Sequence, residues 1–361
     1  MSRFWSRLVH GLEPYVPGEQ PKIAGLVKLN TNESPTGPSP RALEAVAGAA
    51  DDSLRLYPDP EALELREALA ELHGVDAAQV FVGNGSDEVL AHTFAGLLRH
   101  EEPLLFPDIT YSFYPVYCRL FGIRHETVPL DGEMRIRIDD YDRPAGAIIL
   151  ANPNAPTGVA LSRREIAELA GRHADIPVVI DEAYVDFGAE SAIPLIKDHP
   201  NLLVVQTMSK SRALAGLRVG YALGDVALVE ALRRVKDSFN SYPLGRPALA
   251  GALASVRDQD FFEASCAAVI AGRAQLADGL ARLGFDVLPS SANFVFARHR
   301  TASGEWLAAE LRRRAVLVRR FSAPRIADYL RITVGTEAQI ARLLEAVAEA
   351  LGTNPPERPP V

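Results

Sequence analysis

Leu202-Leu203-Val204-Val205-Gln206-Thr207-Met208-Ser209-Lys210-Ser211 runs from four apolar residues into a loop of small hydroxyl side chains around one lysine. The apolar run predicts a short buried strand, and Lys210 falls just past its end, where α/β sheets place ligands. A lysine that acts as a nucleophile must first lose its proton, which burial and neighbouring cations favour. Arg218, shortly after Gly216, offers such a cation and a planar fork for phosphate. A loop lysine taken alone is most often a solvated one. The chain has only five, however: Lys22 and Lys28 lie in an N-terminal arm, and Lys197 and Lys236 in polar or helical surface patterns.

Working outward from this strand, short apolar runs recur at Val80–Val82, Leu104–Phe106, Ala147–Leu150, Val178–Ile180 and Val219–Leu223. Helical periods separate most of them, at Ala62–Leu72, Ser86–Leu98, Arg163–Arg172 and Val226–Val235. Such alternation predicts an α/β domain with a largely parallel sheet. A long helical region, Phe261–Leu283, leads into a different rhythm. Strands are expected at Phe285–Leu288, Asn293–Ala297 and Tyr329–Val334 around a helix at Glu305–Arg314, with a last helix at Glu337–Leu351. The expected organisation is an arm at 1–40 packing with the small domain or a partner subunit, a large domain at 41–265, a small α+β domain at 266–352, and a disordered Pro-rich tail at 353–361.

Three further segments follow strand ends. Val82-Gly83-Asn84-Gly85-Ser86-Asp87-Glu88 is a Gly-rich turn opening a helix, whose backbone N–H groups suit a phosphate; Ser86 is expected to cap that helix. Val178-Val179-Ile180-Asp181-Glu182-Ala183-Tyr184 delivers an acid at the end of a buried strand. Ala151-Asn152-Pro153-Asn154-Ala155-Pro156-Thr157-Gly158 is a loop shaped by prolines and glycine, with asparagine donors. Each has a plain structural reading as a cap or tight connection.

Composition sets the bounds. With 48% hydrophobic and 23% charged residues the chain reads as a globular enzyme, and its formal charge of −8 argues against a nucleic-acid partner. Cys118 and Cys266 are far apart and form no metal-ligand cluster, so no metal is expected. With no signal-peptide core and no run of about 18 apolar residues, the expected location is cytoplasmic and no membrane is expected as a partner.

The order of these segments, glycine turn, Asn-Pro-Asn-Ala-Pro-Thr-Gly, Asp-Glu-Ala-Tyr, Ser-Lys and then Arg218, resembles the fold-type I aminotransferases that use pyridoxal 5'-phosphate. The closer likeness is to the histidinol-phosphate aminotransferases. It rests on Leu29-Asn30-Thr31-Asn32-Glu33-Ser34-Pro35, Tyr57-Pro58-Asp59-Pro60, Ala213-Leu214-Ala215-Gly216-Leu217-Arg218, Ser291-Ala292-Asn293-Phe294 and Leu330-Arg331-Ile332-Thr333-Val334-Gly335-Thr336. The resemblance implies a large domain with a mostly parallel mixed sheet flanked by helices, plus a smaller α+β domain. It implies that Lys210 holds the cofactor as a Schiff base and later shuttles a proton. Asp181 would pair with the pyridine nitrogen and Tyr184 would approach the ring hydroxyl, while Tyr111 would stack on the ring. Gly85, Ser86, Asp87, Thr207, Ser209 and Arg218 would hold the phosphate, and Tyr57 would reach the phosphate of a neighbouring subunit in a homodimer with shared sites. Arg331, Arg319, Tyr15 and Asn32 would meet the substrate.

One position departs from the family. Asparagine usually precedes Pro-Thr-Gly, and this chain has Ala155, so either Asn154 takes over the contact to the ring hydroxyl or Tyr184 acts alone. The reaction implied is transamination between L-histidinol phosphate and 2-oxoglutarate, in histidine biosynthesis. An aromatic amino-acid aminotransferase is the nearest rival, because Arg331 suits a carboxylate as well as a phosphate. A phosphoamino-acid decarboxylase of similar architecture is a further one. A non-catalytic ligand sensor of the same fold has little use for Lys210, Asp181 and Arg218 together, and the DNA-binding domain such regulators carry is not expected before the arm.

Overall fold

The computed structural model describes residues 2–353, which fold around two sheets. The arm contributes one short strand, β1 (Val27–Leu29). The larger sheet has seven strands: β2 (Val80–Asn84), β3 (Leu104–Pro107), β4 (His125–Val128), β5 (Ala147–Ala151), β6 (Val178–Asp181), β7 (Leu202–Thr207) and β8 (Val219–Gly224). Their order is β2-β8-β7-β6-β5-β3-β4. All neighbours run parallel except β8, which is antiparallel to both β2 and β7. Every residue of β5, β6 and β7 is buried, as expected of parallel strands covered by helices on both faces. Their C-terminal ends line up, bringing Ala151, Asp181 and Thr207 to one edge.

The smaller sheet is ordered β1-β11-β12-β10-β9, from β9 (Phe285–Val287), β10 (Phe294–His299), β11 (Val316–Arg320) and β12 (Tyr329–Thr333). The arm joins it as a strand, with Val27 to Leu29 in parallel register with Val316 to Val318. This pairing carries Asn30, Thr31 and Asn32 out of the small sheet toward the large one. The unbroken helix Gln259–Arg282 spans residues 265 and 266, between which a domain boundary was expected.

Most of the anticipated elements are found within one to four residues of their expected ends, and the helices Arg163–Arg172 and Glu337–Leu351 coincide with them. Unforeseen are β4, whose middle residues are exposed and polar, and β11, where arginines follow only three apolar residues. The helices Pro40–Gly48, Tyr114–Phe121 and Arg246–Arg257 were also unforeseen. Lys236 corrects another expectation. It is 3% exposed, because Nζ donates to Pro60 O at 2.9 Å and pairs with Asp237 and Glu61 at 3.0 and 3.5 Å. Such partners make a buried ammonium tolerable. The tail expected from residue 353 lies, apart from Thr353, outside the described residues. Among the described residues no helix is long and apolar enough to cross a membrane.

Candidate active site

A cavity of about 490 Å³ opens where the strand ends of the large sheet meet the arm and the small sheet. Lys210 reaches it from the loop after β7. Its Nζ donates to Thr31 O, 3.2 Å away in the arm. Burial pulls the Lys210 pKa down to about 8, with Arg331 the next cause and Glu33 and Asp87 opposing. The cation that matters most to this amine is therefore Arg331 of the small sheet, ahead of Arg218.

Asp181 ends β6 and lines the same cavity at 5% exposure. Tyr114 donates to its Oδ2 at 2.8 Å, while Oδ1 is buried with no partner. Burial raises this carboxyl to about 6, although the Tyr114 bond and, to a smaller extent, the Ala183 backbone N–H pull the other way. A buried carboxylate oxygen left open in this manner invites a cationic N–H donor.

The glycine turn forms the opposite wall. The helix Gly85–Leu97 starts at Gly85, and Asn84 occupies the cap position without a side-chain capping bond. Ser86 is thus the second helical residue and does not cap the helix, which corrects that expectation and leaves first-turn N–H groups for an anion. Gly85 has φ of 77°, and a Cβ there would lie 2.4 Å from Arg218 Nη2. Gly220 on β8 allows equally close packing, since a Cβ would sit 2.3 Å from Ser86 N. Arg218 Nη2 donates to Asp87 Oδ2 at 2.9 Å and Nη1 to Ser209 Oγ at 3.4 Å. Tyr111 donates to Asp87 Oδ1 at 3.1 Å, and Tyr117 to the Asp87 carbonyl at 2.8 Å. Thr207 Oγ1 accepts from Ser209 N at 3.1 Å. Ser86, Thr207, Ser209 and Arg218 therefore offer donors in one cradle beside Lys210, to which Asp87 can add only its backbone N–H because its carboxylate accepts from Arg218 and Tyr111.

Across the cavity stand two arginines. Arg319 on β11 and Arg331 on β12 are register partners, and both line the cavity. Arg331 Nη2 donates to Asn30 O at 3.0 Å, and its guanidinium lies 5.4 Å from the Phe294 ring and 5.7 Å from the Phe321 ring. Its Nε is buried without a partner. Tyr15, half-buried against Phe113 at a ring separation of 4.9 Å, completes the rim. Tyr184 and Asn32 also line the cavity, with Asn32 Nδ2 donating to Tyr184 Oη at 3.0 Å.

Asn154 and Tyr57 are not brought to this cavity. The Asn154 amide is turned to Ile109 O at 3.0 Å and Thr157 Oγ1 at 3.1 Å, so the loop uses it to hold its own shape. Ala155 lines the cavity instead, packed with Ala292, Phe294 and Tyr184. Tyr57 is 77% exposed on another face, stacked on Tyr242 at 4.7 Å. Sequence reasoning missed Tyr114, the donor to Asp181, and Thr31, the acceptor for Lys210. A buried strand-end acid signals that a donor is needed, but several aromatic residues crowd 111–117 and spacing does not select one.

The sequence model for aminotransferase class I and II matches residues 24–347. Histidinol-phosphate aminotransferase 1 of Bradyrhizobium diazoefficiens is 65% identical over 97% of this chain and 100% of its own length. Histidinol-phosphate aminotransferase 2 of Rhizobium meliloti is 64% identical, again over 97% and 100%. Among solved structures, histidinol-phosphate aminotransferase from Sinorhizobium meliloti in complex with pyridoxal-5'-phosphate superposes with a TM-score of 0.87. It shares 26% identity, over 98% of this chain and 99% of that one.

Proposed function

Since the chain belongs to the class I and II aminotransferases and, within them, to the histidinol-phosphate aminotransferase family, we propose that Lys210 is the reacting amine of a transamination between L-histidinol phosphate and 2-oxoglutarate, a step of histidine biosynthesis. The chain is a pyridoxal-5'-phosphate-dependent aminotransferase.

The residues present fit that cofactor. The unpartnered Asp181 Oδ1 suits a protonated ring nitrogen, and the cradle of Ser86, Asp87, Thr207, Ser209 and Arg218 suits a phosphate. Gly85 keeps room for the Arg218 side chain within that cradle, Tyr111 would flank the ring, and Tyr184 would face its hydroxyl. When bound, the cofactor supplies the aldehyde that takes up an amino group and a ring that accommodates carbanion charge. The chain's own part is to hold and move protons. Lys210, with its pKa drawn down to about 8, is able both to accept and to return a proton at Nζ near neutral pH. Asp181 keeps a negative charge where it would favour the protonated ring, and Tyr15 and the arm line the rim of the cavity.

The observation that best supports a phosphate-bearing substrate is the Arg319–Arg331 pair. Two guanidinium groups on adjacent strands repel each other unless an anion lies between them, and neither has a carboxylate within ion-pair distance among the described residues. The test is a comparison of half-reactions: histidinol phosphate should bleach the cofactor band at least about a hundred times faster than phenylalanine at equal concentration. A faster reaction with phenylalanine would overturn the substrate assignment in favour of an aromatic amino-acid aminotransferase.

We take residues 41–265 as the cofactor-binding unit and 266–352, with the arm at 1–40, as its companion. The working form on this reading is a cytoplasmic homodimer in which Tyr57 reaches the phosphate cradle of the other copy. Its exposure beside exposed Leu54, Leu56 and Tyr242 supports that assembly.

A further inference from the structure

The arm contributes more to the cavity than a lid. Asn32 is 1% exposed and has φ of 55°, a left-handed conformation that a non-glycine residue keeps only where its surroundings hold it. Its backbone N–H donates to Thr333 Oγ1 at 3.0 Å, and its carbonyl accepts from Asn293 Nδ2 at 3.0 Å. The Thr333 hydroxyl donates in turn to Asn32 Oδ1 at 3.1 Å. With its oxygen engaged, the amide is fixed in one orientation, and Nδ2 is left to donate to Tyr184 Oη at 3.0 Å.

This bond joins the two sheets. Thr333 ends β12 and Asn293 precedes β10 in the small sheet, whereas Tyr184 follows β6 of the large one. A phenol oxygen that receives a donor keeps its own proton to give. Asn32 thus orients the Tyr184 O–H away from itself, toward the cavity that both residues line. No amide of the Pro-rich loop competes for the task, because Asn154 is engaged with Ile109 and Thr157 and the next position is Ala155.

We propose that Asn32 is a positioning residue for the reaction, its side-chain amide setting the Tyr184 phenol as a hydrogen-bond donor toward the cofactor's ring hydroxyl. This deepens the reading above and rests on it. Asn32 acts on the reaction through Tyr184, under control of the small sheet, and Thr333 and Asn293 hold it in place.

The experiment is a pH titration of the visible absorption of the holoenzyme without substrate, on wild type, Asn32→Gly, Asn32→Asp, Tyr184→Phe and Asn32→Gly combined with Tyr184→Phe. Glycine removes the amide and accepts the left-handed backbone; aspartate keeps the shape and replaces a donor with an acceptor. The titration midpoint should move by about half a unit or more in Asn32→Gly and Asn32→Asp, in the same direction as in Tyr184→Phe. Adding Asn32→Gly to Tyr184→Phe should move it no further. A wild-type midpoint in Asn32→Asp, or an equal shift with and without the Tyr184 hydroxyl, would overturn the proposal. Should Asn32→Gly fail to fold, Asn32→Asp with and without Tyr184→Phe decides: a shift of the same size in both backgrounds reports only the added charge and overturns the proposal. Absence of a visible band in every form, wild type included, would overturn the cofactor-site reading itself and this inference with it.

Discussion

The Tyr114 hydroxyl donates a hydrogen bond to Asp181 Oδ2 at 2.8 Å, and the other oxygen of the same carboxylate accepts none of sound geometry. The bond divides the labour of the acid: one oxygen is anchored in the protein, and the other remains for a ligand. Burial holds this carboxyl up at about 6 while the Tyr114 bond draws it down, so Tyr114→Phe must raise it further. Protonated Asp181 loses its hold on a cationic ring nitrogen. The affinity of the cofactor-free protein for pyridoxal phosphate should therefore fall on acidification from a pH about half to one unit higher in Tyr114→Phe than in wild type. Fluorescence titration across pH 5 to 8 checks this, and coincident curves would contradict it.

Lys210 carries the second prediction. In the cofactor-free protein its amine should react with an acylating reagent with a midpoint near 8, well below the ordinary 10.5. Arg331→Gln removes the neighbouring cation that disfavours the ammonium, so the midpoint must move upward. Peptide mapping of the labelled protein reads both. Borohydride reduction of the holoprotein should tag Lys210 alone, and Lys210→Ala should lower transamination by on the order of 10⁴.

The paired arginines make a prediction about substrate rather than chemistry. On the proposed role, Arg319→Gln should raise KM for histidinol phosphate by about tenfold to a hundredfold and change kcat much less, because a contact to a remote phosphate would be made in ground state and transition state alike. Arg331→Gln should lower kcat as well, through its field on Lys210. Steady-state kinetics on the two variants separates the roles.

Gly85 tests the phosphate cradle. An alanine there must adopt φ of 77° with its Cβ at 2.4 Å from Arg218 Nη2, and only movement of the arginine relieves the contact. Gly85→Ala should cost about 1–3 kcal/mol of stability and weaken cofactor binding more than tenfold. Thermal melting with and without pyridoxal phosphate measures the two effects.

The proposed homodimer predicts complementation. Lys210→Ala chains should be inactive, and Tyr57→Ala chains should be impaired in cofactor binding. Mixed and re-equilibrated, the two should recover activity, because a hybrid dimer holds one cavity with both Lys210 and Tyr57 intact. Activity no greater than the sum of the separate preparations would place Tyr57 outside the site.

Much of the α/β frame was readable from the chain alone. Strands buried on both faces are written as unbroken apolar runs, so β5, β6 and β7 declared themselves, with Asp181 and Thr207 at their C-terminal ends and Lys210 in the loop beyond. The chemical types found beside the amine, a Gly-rich turn opening a helix, an acid and an arginine, follow local motifs and need no knowledge of distant contacts. Local pattern could not supply partners that come from hundreds of residues away. Whether Thr31 offers its carbonyl to Lys210 and whether Asn32 holds Tyr184 depend on how the arm docks on β11 and how the small sheet sits against the large one, while Arg319 stands opposite Arg331 only through the register of β11 with β12. The polar edge strand β4 lacked a hydrophobic signature for the same reason, since pairing with its neighbour makes it a strand. Hydrophobic periodicity records which face of an element is buried. Directional bonds between elements are settled only when tertiary packing brings a donor and an acceptor to within about 3 Å.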